Sequence, residues 1–177
     1  MEINEIKGDL IQLFKDGEFD FIMHGCNCFS VMGAGIAKQI KEQFPQAFRA
    51  DYKYKVDAPI DKLGMFSKMT YDCGTIINAY TQYLPGSNFE YSALESCLHL
   101  LKLRCQERRF RKEHNLKRRQ KPKLGLPLIG CGIGEGKFST VKKVLEKFTL
   151  YFDITIVHYD SGIEKVDQTE INFESKT

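Results

Sequence analysis

The sequence contains no long hydrophobic run and no leader-like start. None of its apolar stretches approaches the roughly 18 to 20 residues that a helix needs to cross a bilayer. Its first residues lack the charged and then apolar pattern of a secretory signal peptide. These absences argue against a membrane protein and predict a cytoplasmic location. In that compartment we expect free thiols at the six cysteines, Cys26, Cys28, Cys73, Cys97, Cys105 and Cys131.

The cysteines and histidines also lack the spacing of a metal site. Cys26 and Cys28 follow His24 at alternate positions, whereas the paired ligands of a zinc knuckle are separated by at least two residues. No second pair of cysteine or histidine ligands follows along the chain. We therefore expect no metal ion and no other cofactor.

Length and composition predict one globular domain. The chain has 177 residues, of which 42% are hydrophobic and 28% charged, enough for one sizeable core beneath a hydrated surface. It contains no internal repeat and no low-complexity tract. Its polar end favours a division into a domain over residues 1–160 and a tail over residues 161–177.

Positive charge is concentrated in one segment, although the net charge of the chain is only +3. The segment from Lys102 to Lys123 holds 11 Lys or Arg residues and two Glu residues, so it carries +9 while the rest of the chain carries −6. This pattern indicates either a solvated helix end and loop or a contact with a polyanion. Phe110 is its only aromatic residue, so nucleic-acid binding is not predicted as the primary function.

Strand-like and helix-like patterns alternate along the chain. Predicted strands are 3–13 with a terminal turn, 19–23, a hairpin of 63–69 and 75–80, then 124–129 and 154–159. Predicted helices are 34–44, ended by Pro45, one from about Tyr91, and one that begins near Ser139 as its N-cap. This alternation predicts an α/β fold with helices on both faces of a sheet.

Two glycine-rich loops each follow an apolar strand and precede a helix. The first contains Gly33-Ala34-Gly35 and the second runs from Gly130 to Gly136. Glycines at a helix N-terminus let backbone N–H groups approach an anion, so two such loops could hold a diphosphate between them. Neither loop has the Gly-Lys-Ser/Thr of a P-loop or the full dinucleotide fingerprint. His24 and Asn27 precede the first loop, where a sugar hydroxyl or a reacting phosphate would lie.

These motifs resemble the macrodomain family of ADP-ribose binders and hydrolases. The resemblance reaches to about residue 160 and rests on Gly8-Asp9-Leu10, Asn27, Met32–Ala37 and Ile129–Gly134. Within the family, the stretches 24–28 and 44–47 look like those of the fungal ADP-ribose-1''-phosphate phosphatases and their phage and bacterial relatives. The resemblance implies a three-layer α/β/α sandwich with a central mixed sheet. If a phage encodes the protein, its location would be the host cytoplasm.

The resemblance also implies a role for each matching residue. Asp9 would accept a hydrogen bond from the adenine amino group, Leu10 would supply a backbone contact, and Asn27 would bind the distal ribose. The first loop would wrap the distal ribose and its phosphate, through Met32, Gly33, Ala34, Gly35, Ile36 and Ala37. The second would hold the diphosphate, through Gly130, Cys131, Gly132, Ile133 and Gly134. Either His158 or Tyr159 would cover the adenine.

The implied activity is hydrolysis of ADP-ribose-1''-phosphate to ADP-ribose and phosphate. His24 would donate or accept the proton, assisted by Asn27 and Glu135. A related glycohydrolase branch uses a lysine and an aspartate where this chain has Gln82 and Gly134, which disfavours that reaction. Two alternatives stay open: removal of ADP-ribose from protein or nucleic acid, and binding of ADP-ribose without catalysis.

Each candidate residue also has a structural interpretation. His24 would then be a core histidine, and Asp9 and Asn27 would be turn residues. Glu135 would be an exposed side chain without a function, and Cys131 a small packing residue.

Overall fold

The computed structural model of the protein describes residues 2–114, 116 and 120–159. The predicted polar tail, residues 161–177, lies outside these residues. The strands are β1 (Asn4–Gly8), β2 (Phe21–Asn27), β3 (Phe66–Tyr71), β4 (Gly74–Gln82), β5 (Lys123–Leu126) and β6 (Asp153–Tyr159). The α-helices are α1 (Leu10–Lys15), α2 (Gly35–Gln43), α3 (Pro45–Tyr52), α4 (Tyr91–Gln106), α5 (Arg108–Glu113) and α6 (Phe138–Glu146), and a 3₁₀ helix spans Pro59–Lys62.

The six strands form one mixed sheet in the order β1-β6-β5-β2-β4-β3. Neighbouring strands are parallel except β3 and β4, which form the antiparallel hairpin that the turn residues predicted. The carboxyl ends of β1, β6, β5, β2 and β4 therefore meet at one edge of the sheet. Ligands of open α/β sheets bind at this edge.

Helices cover both faces of the sheet. Helices α1, α2 and α3 pack on one face, where Phe14, Ile40 and Ala47 meet Ile22 and Ile76. Helices α4, α5 and α6 cover the other face with a second apolar cluster, which includes Leu94, Leu98, Leu101, Phe110, Val141, Leu145, Phe21, Met23, Ile77 and Ala79. The predicted three-layer α/β/α sandwich with a central mixed sheet is therefore confirmed.

Several predicted boundaries are wrong for identifiable local reasons. The first segment is not a strand throughout, because α1 starts directly after Asp9. Pro45 ends α2 but also begins α3, since its fixed φ and missing N–H suit the first turn of a helix. The strand predicted to reach residue 129 stops before Pro127, which has no N–H for the sheet. Helix α6 has Lys137, not Ser139, at its N-cap.

Among the described residues, no helix is both long enough and apolar enough to span a bilayer.

Candidate functional site

A crevice of about 610 Å³ lies at the carboxyl edge of the sheet. Its wall is formed by the β1–α1 junction, the end of β2, the first glycine loop with the start of α2, the end of β4, the loop after β5, and the end of β6. We call this space the crevice.

Most of the predicted site residues line the crevice. They are Asp9, Leu10, Asn27, Gly33, Ala34, Gly35, Ile36, Ala37, Gly130, Cys131, Gly132, Ile133, Gly134 and Tyr159. Four others do not line it: His24, Met32, Glu135 and His158. The sequence reasoning missed further lining residues, among them Gly25, Cys26, Val31, Gln39, Pro85 and Leu128.

Asp9 is the N-cap residue of α1. Its Oδ1 accepts hydrogen bonds from the backbone N–H groups of Ile11, at 2.8 Å, and Gln12, at 3.2 Å. These contacts satisfy two of the donors that a helix leaves unpaired at its start. No described residue donates to Oδ2, so a ligand in the crevice has one carboxylate oxygen to bind.

Asn27 ends β2 and fixes the beginning of the first loop. Its Oδ1 accepts from the N–H groups of Phe29, at 3.0 Å, and Val31, at 3.2 Å. Its Nδ2 donates to the carbonyl of Val31 at 2.8 Å. Asn27 therefore acts as a turn residue, as its structural interpretation predicted. Its Nδ2 keeps one amide hydrogen available for a ligand.

A buried ion pair anchors the same loop from below. Ser30 has a φ of 58°, which L-residues other than Asn and Asp rarely adopt. Its hydroxyl donates to Oδ1 of Asp51 at 2.8 Å and accepts from Nζ of Lys62 at 3.1 Å. Lys62 lies 3.6 Å from Asp51, and their side chains are 8% and 0% exposed. Tyr80 donates a further hydrogen bond of 2.9 Å to Asp51.

We call Ser30, Asp51, Lys62 and Tyr80 the loop anchor. The sequence reasoning missed it because its members lie on four separate segments. Asp51 and Lys62 lie on different elements, 11 residues apart, and show no periodic pattern in the sequence, so their pairing is visible only in the fold.

His24 lies inside β2 and not at the loop mouth, so that expectation is wrong. The side chain is 1% exposed, and its Nε2 donates to Oδ1 of Asn78 at 2.7 Å. The amide of Asn78 donates to the carbonyl of Ala47 and to the hydroxyl of Ser67, which leaves Oδ1 as the acceptor for His24. Burial lowers the pKa of His24, so the ring is neutral at pH 7.

The first loop presents the open N-terminus of α2 to the crevice. The N-cap residue, Ala34, makes no side-chain cap hydrogen bond. The N–H groups of Gly35, Ile36 and Ala37 therefore lack the acceptor that Asp9 gives α1. Gly35 has a φ of 54°, which favours glycine at this turn. The N–H groups and the helix dipole together favour an anion here.

Met32 packs in the apolar cluster beneath the first loop and does not line the crevice. Its side chain is 3% exposed and packs with Cys26, Cys28 and Tyr80. The expectation that Met32 contacts a ligand is therefore replaced by a packing role.

The second glycine loop is folded around the ring of Phe89. A side chain at Gly130 or Gly136 would overlap the Phe89 ring, and Gly130 also has a φ of 74°. A side chain at Gly134 would overlap the carbonyl oxygen of Gly130 and crowd Cβ of Phe89. A side chain at Gly132 would meet no atom within 4 Å. The spacing of these glycines thus reflects the packing of Phe89 as well as access to a ligand, which sequence reasoning did not foresee.

The second loop also presents backbone donors to the crevice. The N–H groups of Gly132, Ile133 and Gly134 have no acceptor among the described residues, whereas that of Glu135 donates to the carbonyl of Gly132. The Glu135 side chain is exposed and lies outside the crevice lining. Glu135 therefore does not lie where a catalytic carboxylate in the crevice was predicted.

The end of β6 places the two candidate adenine contacts, His158 and Tyr159, differently. Tyr159 lines the crevice and is 66% exposed. His158 turns to the opposite face, because side chains alternate along a strand. There Nε2 of His158 lies 2.9 Å from the Glu5 carboxylate, and the ring packs edge-on against Phe138.

Few lining groups could serve as an acid, a base or a nucleophile. Asp9 is the one carboxylate among the described lining residues, and no histidine or lysine joins it. Burial raises the pKa of both lining thiols, Cys26 and Cys131, so they are protonated at pH 7. Within the described part of the chain, no group of three or more His, Cys, Asp or Glu side chains could hold a metal ion.

Comparison with protein families finds a match over most of the chain. The model of the Macro domain family matches residues 23–145. The 17.5 kDa protein in the tk-vs intergenic region of Enterobacteria phage T4 is 36% identical over 164 residues, which cover 90% of this chain and 98% of the phage protein. An ADP-ribose 1''-phosphate phosphatase of Meyerozyma guilliermondii is 40% identical over 48 residues, 27% of each chain.

Solved structures share the fold at lower identity. The macrodomain of Thermus aquaticus DarG has a TM-score of 0.65 at 20% identity and covers 90% of this chain and 98% of its own. Thermosipho africanus DarTG in complex with ADP-ribose has a TM-score of 0.62 at 19% identity, over 91% of this chain and 43% of that one.

Proposed function

Because the chain belongs to the Macro domain family, we propose that its crevice binds ADP-ribose and that the protein hydrolyses ADP-ribose-1''-phosphate. One observation carries the binding proposal. The open N-terminus of α2 and the second loop, with its N–H groups that have no acceptor among the described residues, line one crevice, and Asp9 lines the same crevice. Two sets of anion-binding donors and one acceptor match a ligand with a diphosphate and an adenine amino group.

The dimensions of the crevice agree with this ligand. Its volume of about 610 Å³ falls within the range of about 300–1,000 Å³ that is usual for small-molecule sites. Asp9 and Tyr159 lie where β1 and β6 pair side by side, since Gly8 is opposite Tyr159 in the sheet. We assign the adenine to this end and the distal ribose to the end near Asn27.

Two similar proteins support the two parts of the proposal. Thermosipho africanus DarTG has a similar fold and was solved in complex with ADP-ribose. The phosphatase proposal is supported by the short match to the fungal ADP-ribose 1''-phosphate phosphatase.

The proposed hydrolysis rests on positioning and electrostatics. The terminal phosphate would lie against the N–H groups of Gly35, Ile36 and Ala37, which would stabilise charge on the transferred phosphoryl group. A water molecule would attack the phosphorus, and the bond from phosphorus to the ribosyl oxygen would break. The ribosyl oxygen would take a proton from water, because no histidine is among the described residues that line the crevice. The remaining amide hydrogen of Asn27 would hold the distal ribose.

A second candidate function, binding without catalysis, is favoured by one specific observation. His24 and Glu135, the two proton-transfer groups predicted beside Asn27, both lie outside the crevice lining. A crevice with anion donors and a single carboxylate suits a reader of ADP-ribose as well as a hydrolase.

One set of assays on the purified protein separates these functions. Calorimetry with ADP-ribose tests binding, and phosphate release from ADP-ribose-1''-phosphate tests the phosphatase. Release of ADP-ribose from an ADP-ribosylated protein and from an ADP-ribosylated oligonucleotide tests the remaining alternative. We expect ADP-ribose to bind and phosphate to be released; binding without release of either product would identify a reader. No binding of ADP-ribose would overturn the assignment of the crevice.

A further inference from the structure

Gln39 is a polar residue of the crevice to which the proposed contacts give no role. It lies on α2, lines the crevice and is half-buried. The two other side-chain amides of the described lining, Asn27 and Gln82, each donate to a carbonyl group of the protein. No hydrogen bond joins the Gln39 amide to any of the described residues. The amide therefore offers one acceptor atom and two donor hydrogens to a ligand.

Contacts between α1 and α2 place Gln39 at one end of the crevice. Nζ of Lys15, the last residue of α1, donates to Oε1 of Gln43, the last residue of α2. Gln39 lies one turn before Gln43 on the same face of α2, and Ile11 of α1 lines the crevice with it. Gln39 therefore lies near the start of α1, at the end of the crevice that Asp9 occupies.

The wall around Gln39 is otherwise mostly apolar. Apart from Gln39 itself and the hydroxyl of Tyr159, the side chains that α1, α2 and β6 contribute to the lining are apolar; they are those of Leu10, Ile11, Ile36, Ala37 and Val157. A base bound against this wall displaces water from the Gln39 amide. The lost hydrogen bonds to water make binding weaker unless the base supplies partners in return.

We propose that Gln39 determines the base specificity of the crevice by hydrogen-bonding to the N6 amino group and to N7 of adenine. The inference rests on the proposed binding of ADP-ribose and deepens it. The adenine amino group has two hydrogens, and Asp9 is assigned one of them. The other hydrogen lies beside N7, so this edge of the base needs an acceptor and a donor next to each other.

A primary amide supplies this pair of groups. Oε1 of Gln39 would accept from N6, and Nε2 would donate to N7. The same pairing lets a glutamine side chain recognise adenine in nucleic acids. Asp9 and Gln39 would then hold the amino group from both sides and fix the base within its plane, while Tyr159 covers its face.

Calorimetry with two ligands tests the proposal. The ligands are ADP-ribose and its 7-deazaadenine analogue, in which a C–H group replaces N7. The wild type should bind the analogue on the order of five- to tenfold more weakly, because Nε2 of Gln39 loses its acceptor. Gln39→Leu should bind ADP-ribose on the order of tenfold more weakly than the wild type. It should also bind the two ligands equally, because leucine makes no hydrogen bond to N7.

A matched variant controls for the change from glutamine to leucine. Gln43→Leu makes the same change one turn further along α2, at an exposed position outside the crevice lining. It should keep the wild-type preference for ADP-ribose over the analogue. Thermal unfolding without ligand checks that both variants are folded, and the comparison of the two ligands on the wild type needs no variant.

The outcomes distinguish this inference from the function on which it rests. Equal binding of the two ligands by the wild type would overturn the role of Gln39. A Gln39→Leu variant that kept the wild-type preference for ADP-ribose would overturn it as well. Failure of the wild type to bind ADP-ribose at all would overturn the proposed function of the crevice, and this inference with it.

Discussion

Asp9 combines a cap and a proposed ligand contact in one carboxylate. Asp9→Ala should weaken ADP-ribose binding by about 1–3 kcal/mol, because a charged hydrogen bond to the ligand is lost. The same change should lower the free energy of unfolding by about 0.5–2 kcal/mol, because α1 loses its cap. Asp9→Ser separates the two effects, since serine caps a helix but carries no charge. Calorimetry and thermal unfolding should show a stable Asp9→Ser variant that binds weakly; normal binding by it would place the adenine elsewhere.

His24 illustrates how burial changes the meaning of a conspicuous residue. Because burial lowers its pKa, the unfolded chain takes up a proton near the ordinary histidine pKa of about 6.5 while the folded chain does not. The stabilising contribution of the neutral ring is fully present above the pKa of the unfolded chain and is lost as the pH falls below that value. The free energy of unfolding should therefore decrease between about pH 7 and pH 5.

The test for His24 compares its variant with a surface control. His24→Gln should show a shallower pH dependence of unfolding than the wild type, whereas His99→Gln, at an exposed position, should not. If His24→Gln also reduced phosphate release by about 10²- to 10⁴-fold while ADP-ribose still bound, His24 would be restored to the mechanism.

At the scale of single elements, the first loop depends on the loop anchor. Lys62→Met should lower the free energy of unfolding by about 3–5 kcal/mol, because Asp51 would remain as a buried charge without its partner. It should also weaken ADP-ribose binding, since Ser30 would lose one of its two contacts. Adding Asp51→Asn should recover much of the stability, and Lys53→Met provides an exposed control. Denaturant unfolding that gave additive effects for the two buried changes would rule out the pairing.

The second loop allows a comparison between two of its glycines. Gly130→Ala should destabilise the protein by at least about 1–2 kcal/mol, because alanine is strained at a positive φ and its methyl group would overlap Phe89. Gly132→Ala should keep the stability of the wild type, since open space surrounds that position. It should nevertheless weaken ADP-ribose binding, because Gly132 lines the crevice. Thermal unfolding and calorimetry on both variants check this. If Gly130→Ala were as stable as Gly132→Ala, packing against Phe89 would not explain why glycine occupies position 130.

The loops show which features of a site can be read from sequence. A strand, glycines and a helix in order predicted both loops, and most of the residues named as site candidates line the crevice. Neither Phe89 nor the loop anchor was predicted, because each depends on contacts between segments distant along the chain. His24 and Glu135 were assigned by residue type, and their orientation depends on strand position and backbone conformation that the sequence does not display.

At the scale of the whole molecule, alternation of apolar segments predicted an α/β fold with helices on both faces of a sheet, and the family resemblance implied the three-layer sandwich with a mixed sheet. Helix α1 was missed because it is only six residues long and directly follows the first strand. The hydrophobic pattern alone could not predict the strand order, because β2 pairs with β4 and β5 and with neither β1 nor β3, the strands next to it in sequence.

Ligand binding should stabilise the whole fold in proportion to the contacts that the ligand makes. ADP-ribose at about 100 times its Kd should raise the free energy of unfolding by about 2.7 kcal/mol. AMP at the same concentration should raise it much less, because it reaches the adenine end of the crevice but neither Asn27 nor the whole of both loops. Thermal shift measurements check this difference. Equal shifts would contradict an extended site.

The pairing of the first strand with the last has a consequence during translation. β1 leaves the ribosome first, but its partner in the sheet, β6, follows only after residues 9–152 have been made. At a synthesis rate of about 5–20 residues per second, the interval is roughly 7 to 30 s. Through this time β1 lacks its neighbour, and Asp9 and Tyr159 cannot face the same space. The proposed adenine end of the crevice is therefore completed only after β6 has been made, and the nascent domain acquires its proposed ligand affinity no earlier than that.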